Sequence, residues 1–495
     1  MKFLKIMLAI AMVMSISTVS FAETQTVKVS GDINSYAFAR DNYNLNRDTA
    51  AAATGVPTDN SGSNSTSWQS YELTTTEVQV AADLTDNVSG VVKLFNQRMW
   101  GSSYDSSEVS GLGMNNLPFN DQVSERTVAS DDAFNVNVEL AYVELKEFLY
   151  SPLTLKIGRQ DLWFGKGFIV GANMQDPDGS LIPYEYTVDR GFDAIRATLD
   201  YNPWTIDGIA AKINENAQLA DDDTNLFGVN VGYVFDAYNA EAEAYWFMKQ
   251  QRFTGSEATA LVADVQNGVD SNDVHTIGMR GSMDPIEDWT LALEGAYQFG
   301  NYVGVDAQNE DRGRSAFAID ASAECRWLQN KFAWKPVGKL EYIFYSGEEN
   351  LGSTGLTSAN GEYHGWDSMY RGKFDTAIRE YQNVYYVTAM SSCPSSTNQH
   401  QVLVSGSIQP TDSLTCSATY GVFWLQEKYT EDPVAGVNTD KKFVGQEVDL
   451  NTVWDYTEDV SFGLLCAWFV PGDHFSSEAG NDVATDIVGS VKLSF

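Results

Sequence analysis

The chain has 495 residues and a formal net charge of -36, from 31 Lys and Arg against 67 Asp and Glu. That balance excludes a broad basic face for a nucleic-acid backbone, so no nucleic-acid partner is expected. The 4 His and 4 Cys leave little for a metal centre, and 12 Trp, 24 Tyr and 25 Phe are too many to leave solvated in a disordered chain.

The N-terminus reads Met1-Lys2-Phe3-Leu4-Lys5, then stays apolar from Ile6 to Met14 and reaches Ser20-Phe21-Ala22. A basic start, a short apolar centre and small residues at the exit predict a secretory signal peptide over 1–22. Residues 23–495 are then one unit. No later stretch has the 18 or more consecutive apolar residues, roughly, that a membrane helix needs.

From there the apolar period is two. Phe227, Val229, Val231, Tyr233 and Phe235 take every second position, as do Ile277, Met279, Gly281 and Met283. Leu414, Cys416, Ala418, Tyr420, Val422 and Trp424 repeat the pattern, as do Val460, Phe462, Leu464, Cys466 and Trp468. Strict alternation means strands with one apolar and one wet face. It predicts strands near 25–40, 67–84, 88–100, 134–147, 153–163, 191–201, 204–216, 224–235, 238–250, 273–283, 288–300, 314–327, 332–346, 398–409, 413–427, 444–456, 459–470 and 484–495.

The connections alternate between short and long. Thr85-Asp86-Asn87, Tyr201-Asn202-Pro203, Pro410-Thr411-Asp412-Ser413 and Thr457-Glu458-Asp459 are tight turns, and longer Gly/Ser/Asn/Asp-rich segments lie between such turns. Short turns at one rim and long loops at the other belong to an all-β, transmembrane antiparallel β-barrel of about 18 strands, with periplasmic turns and extracellular loops. The expected location is the outer membrane of a Gram-negative-type bacterium, with outer-membrane lipid around the barrel. Trp289, Trp327 and Trp454 beside short turns, and Trp246, Trp424 and Trp468 toward long loops, suit two aromatic girdles.

The phase of each strand assigns the inward ionisable groups. Pore-lining candidates are Lys93, Glu139, Arg159, Arg196, Glu241, Glu243, Arg280, Glu294, Asp320, Glu324, Arg326, Lys339, Glu341, Glu447 and Asp449. Acid outnumbers base in this wall, which favours cations and opposes a polyanionic cargo. Arg159 shares parity with the apolar Leu153, Leu155 and Ile157. A bulge at Gly158 would turn it inward, and snorkelling at the outer rim is the other solution.

The long loops 101–133 and 346–397 could enter the mouth and offer Tyr104, Phe119, Tyr363, Trp366 and Tyr370 to sugar rings. No cofactor or metal is expected: the Cys are scattered, and Gln175-Asp176-Pro177-Asp178-Gly179 lacks the twelfth-position Glu of a calcium loop. No catalytic site is expected, because no His has a Ser and a carboxylate at a recognisable spacing.

Tyr142 to Lys146 and Leu155-Lys156-Ile157-Gly158-Arg159-Gln160-Asp161-Leu162-Trp163-Phe164-Gly165-Lys166-Gly167 resemble the alginate-export family of outer-membrane porins. The resemblance implies an 18-stranded barrel that passes anionic polysaccharide through an arginine-rich pore. The alternating final strand ending in Phe495 resembles the signal read by the barrel assembly machinery. The expectation is a monomeric porin for passive passage of small hydrophilic solutes or saccharides. A structural or adhesive barrel that works through its surface loops is the alternative.

Overall fold

The computed structural model describes residues 26–42, 69–100, 136–174, 184–215, 223–253, 270–302, 312–326, 331–348, 351–352, 355–356, 362–381, 397–428, 438–475 and 482–495. The strands in chain order are β1 Val27–Asp41, β2 Gln69–Thr85, β3 Val88–Met99, β4 Asn137–Leu145, β5 Leu153–Gln160, β6 Phe192–Tyr201, β7 Trp204–Asn214, β8 Thr224–Val234, β9 Glu241–Phe253 and β10 Asp270–Ile286. They continue with β11 Trp289–Tyr302, β12 Arg312–Cys325, β13 Val337–Tyr345, the small β14 Leu351–Gly352 and β15 Gly355–Leu356, then β16 Gln399–Thr411, β17 Leu414–Leu425, β18 Phe443–Asp455, β19 Val460–Pro471 and β20 Ala484–Ser494.

Setting aside the β14–β15 pair, the strands form one 18-stranded sheet in which each pairs antiparallel with its sequence neighbour. The sheet closes because β1 also pairs with β20, Asp32 opposite Ser494 through Asp41 opposite Thr485. Gly31 and Phe495 exchange both backbone hydrogen bonds, 2.9 and 3.0 Å, at that seam. Closure removes every free edge, which a hydrocarbon environment demands of a sheet.

The outward face is the apolar parity read from sequence. Met279 is 68% exposed and Leu293 59%, while the inward-facing Thr276 and Glu294 of the same two strands are buried. Trp204, Tyr233 and Phe235 cluster near one rim, and Trp454, Tyr456 and Phe462 do the same, with ring centroids 4.6 to 6.0 Å apart. Trp246, His275 and Phe299 stack toward the other rim. These are interfacial belts. Cys325, Cys416 and Cys466 are free thiols. The expected leader 1–22, Cys393, Trp327, Tyr104, Phe119, the Gln175–Gly179 run and the Gln382–Met390 stretch lie outside the described residues.

The core differs from that of a soluble sandwich. It fills the lumen, and two long connections supply much of it. Leu162, Phe164, Phe168, Ile169 and Val170 from the β5–β6 connection join Trp366, Met369 and Ile378 from the β13–β16 connection. They pack against inward Phe192, Leu226, Phe247, Val274 and Phe423 of the wall.

Candidate functional site

The site is the lumen, and its construction begins at Gly158. Its φ is +122°, and an added Cβ would lie 2.2 Å from the Ala141 carbonyl oxygen, so only glycine fits. Beyond it Gln160 points inward, fully buried, and donates to the Ala194 carbonyl at 2.8 Å. The chain then leaves the wall as the inner segment 161–174.

This segment meets the second inner segment, 362–381, through short backbone bonds. Gly171 N–H donates to the Tyr370 carbonyl at 2.8 Å, Tyr370 N–H to that of Ile169 at 3.0 Å, and Gly372 N–H to that of Gly167 at 2.9 Å. A Cβ on Gly171 would lie 2.9 Å from the Gly372 Cα, so two glycines facing each other permit the approach. Phe164 packs on Phe247 of β9, Phe168 on Tyr345 of β13, and Tyr370 on Phe192 of β6.

Charge fastens the second segment. Lys373 Nζ donates to Asp320 at 2.7 Å and to Glu341 at 2.9 Å, and lies 2.8 Å from Asp375. Burial opposes its charged form, but Asp375, Asp320 and Glu341 hold the ammonium well above its ordinary range. Glu447 accepts the N–H groups of Ile378 at 2.7 Å and Arg379 at 2.8 Å, and Asp449 accepts that of Ala377 at 3.1 Å. The fully buried Arg379 reaches Gln399 at 2.7 Å, and Arg371 pairs with Glu380. At the other end Lys249 grips Asp367 at 2.5 Å, and Gln298 receives the Asp367 N–H at 2.8 Å. Burial pushes the Asp367 carboxyl up, but Lys249 and Arg314 outweigh it and leave the group below the usual carboxylate range.

The remaining predicted wall residues pair within the wall or at its rims. Lys93 bridges Glu77 at 2.5 Å and Glu139 at 3.1 Å, Arg196 pairs with Asp207 at 2.8 Å, and Arg280 binds Glu241 and Glu243 at 2.6 Å each. Glu294 accepts from Tyr245 at 2.8 Å, Arg326 lies 3.2 Å from Glu324, and Lys339 lies 2.7 Å from Glu341.

Arg159 corrects the expected bulge. The ladders on both sides run without a shift, with Arg159 opposite Ala141 and Asp193, and Ile157 opposite Ile195. It therefore keeps the outward parity at the long-loop rim, where Asp189 and Asp193 pair with it. The aromatic expectation is corrected as well. Trp366 is buried, Tyr370 packs on Phe192, and Tyr363 lies flat on Tyr302 with centroids 3.5 Å apart, so these rings are structural filling.

The inner segments reach wall strands from β6 round to β18, and that sector is packed. Opposite it, Arg40 of β1 pairs with Asp486 of β20 at 2.9 Å and with Glu185, and Phe38, Tyr71 and Tyr186 pack beneath. Below this lid the described residues leave space along the sector β18–β19–β20–β1. A cavity of about 280 Å³ is lined by Tyr36, Tyr186, Asn451, Ser461, Ser490 and Lys492, among others. A cup of about 1000 Å³ at the short-turn mouth shares Ser461 and Lys492 with it, and adds Asp32, Asp412, Asp455, Glu458 and Asp459. Sequence reasoning missed Arg40, Tyr36, Lys373, Arg379 and Lys492. The alternation Tyr36-Phe38-Arg40 was the available signal on β1; nothing local marks the cations of 362–381 as lumen residues.

The comparisons agree with this architecture. A family model described as alginate export matches residues 57–488. Pseudomonas aeruginosa OccK11 (OpdR) superposes with a TM-score of 0.51 at 8% identity, over 95% of this chain and 96% of that one. Acinetobacter baumannii OccAB4 gives 0.51 at 11% identity, over 95% and 99%. Pseudomonas aeruginosa OpdQ gives 0.50 at 10%, over 95% and 98%. At such identity these likenesses speak to the fold. No curated relative matches the sequence. With a matching family model over most of its length and a closed 18-stranded barrel, the chain belongs to the alginate export family of outer-membrane channels.

Proposed function

We infer that this porin is a passive, solute-selective channel whose traffic runs along the open sector between β18 and β1. The observation that carries the reading is the docking of 161–174 and 362–381 against the β6–β18 wall, together with a cavity and a mouth-side cup on the wall from β18 to β1. Such a lumen suits single hydrophilic solutes better than a wide polymer. Much of the acidic wall is compensated: Lys373 and Lys339 together offset Asp320 and Glu341, and backbone N–H groups cap Glu447 and Asp449. The uncompensated acid lies at the mouth, so cation preference is modest. Closure of the sheet within one chain means that no second chain is needed to complete the barrel, and the terminal strand ending in Phe495 supports recognition by the assembly machinery. No catalytic role is assigned to any residue.

Single-channel recording in a salt gradient tests this reading. Steady conductance with a small cation-selective reversal potential is the expected result. A bilayer that stays sealed over many insertions would instead favour a structural or adhesive surface barrel.

A further inference from the structure

We propose that Tyr36, Tyr186, Asn451, Ser461, Ser490 and Lys492 form a binding subsite for one uncharged saccharide ring on the periplasmic side of the inner segments. The inference rests on the channel reading and names the solute class for its open sector.

The side chains suit a sugar. Tyr36 and Tyr186 stand with ring centroids 4.7 Å apart and interplanar angle 57°, forming an angled aromatic corner. An aromatic face carries partial negative charge and accepts the weakly positive C–H edge of a pyranose. Around that corner sit a carboxamide, two hydroxyls and an ammonium, a mixed set of donors and acceptors for ring hydroxyls. Lys492 forms no ion pair among the described residues, so its donors are open to a ligand. Register holds the set on one wall: Ser490 faces Tyr36 on β1 and Gly463 on β19, and Lys492 faces Asn34 and Ser461. The cavity of about 280 Å³ is near the lower bound of roughly 300 Å³ for small-molecule pockets, which suits one ring at a time.

Charge selects against an anion. A solute rising from the short-turn mouth crosses Asp32, Asp455, Glu458 and Asp459, with Asp412 paired to Lys335, before it reaches Lys492 and the Arg190 guanidinium near Tyr36. Like-charge repulsion there penalises a uronate, whereas an uncharged sugar pays no such penalty. The overhead lid of Arg40, Asp486 and Glu185 is already internally paired, and Arg190 is held by the Thr187 and Glu185 carbonyls.

Current block tests the proposal. Glucose or glucuronate is added to the short-turn side of channels reconstituted from the full chain. Glucose should block saturably and more tightly than glucuronate. Tyr36→Ala and Tyr186→Ala should each weaken the block roughly tenfold, and Tyr36→Phe, which keeps the ring, should retain it. Block indifferent to both alanine variants, or tighter block by glucuronate, overturns the subsite. Conduction without any sugar block overturns it while leaving the channel reading intact. If the bilayer stays sealed, calorimetric titration of glucose into detergent-solubilised protein replaces the current. Loss of binding in Tyr36→Ala then supports the subsite, and absent or unchanged binding overturns it.

Discussion

Two sectors of one barrel use the same strand pattern for opposite ends. Between β6 and β18 the inward residues meet inner segments, and charge is buried in pairs: Asp320 and Glu341 hold Lys373, while Glu447 holds two backbone N–H groups. Between β18 and β1 the inward residues nearer the long loops also pack, but toward the short turns Asn451, Ser461, Ser490 and Lys492 line a cavity. The difference teaches that lumen chemistry here is decided less by the wall than by what docks on it. An inward carboxylate faces the mouth-side space in one sector and anchors an inner segment in the other.

The anchors give the largest handle on that contrast. Lys373→Met leaves Asp320 and Glu341 buried without their shared cation, a change that costs about 3–5 kcal/mol when one partner of a buried pair is removed. Segment 362–381 should detach, raising conductance and its noise and exposing the segment to protease. Unchanged current and unchanged proteolysis would show that apolar packing alone holds it.

A smaller effect is expected at the root of the other inner segment. Gly158→Ala forces a side chain onto a φ of +122° and against the Ala141 carbonyl, at a cost of roughly 1–3 kcal/mol or more. The barrel should unfold at lower temperature, read by the loss of the compact form in gel electrophoresis, with sugar block on the far wall preserved.

The smallest effect concerns pH. The folded pKa of Asp367 is depressed, so its stabilising contribution is present above the ordinary carboxylate range and is lost as pH falls through the lowered value. Conductance should therefore be steady from neutral to mildly acidic pH and become noisy only in strong acid. An increase in noise already at mildly acidic pH would mean that another group controls docking.

Much of the fold was legible because a barrel writes itself in period two. Phe227 to Phe235 and Leu414 to Trp424 declare an apolar face, and the tight turns between strands fix the hand-over. The inward acids were legible by parity for the same reason. Their partners were not: Lys373 lies 53 residues from Asp320, Lys249 lies 118 from Asp367, and no local pattern joins them. Segment 161–174 hid differently. Leu162-Trp163-Phe164 reads as the end of a strand, yet the ladder stops at Gln160, and Leu162 and Phe164 turn into the lumen core. At Arg159, the apolar parity of Leu155 and Ile157 was right, and the rim acids Asp189 and Asp193 supply the compensation that an inward bulge would have provided.

The most direct test of the two-sector account is thiol labelling at one cysteine per sector, in a background whose native cysteines are replaced by Ala. Ser490→Cys lies in the open sector, and Ala318→Cys lies under the inner segments, where Ala318 is 1% exposed. A charged thiol reagent added from the short-turn side should modify position 490 quickly and cut the single-channel current, leaving position 318 unreacted. Rapid labelling at 318 with current loss, and none at 490, would contradict the account.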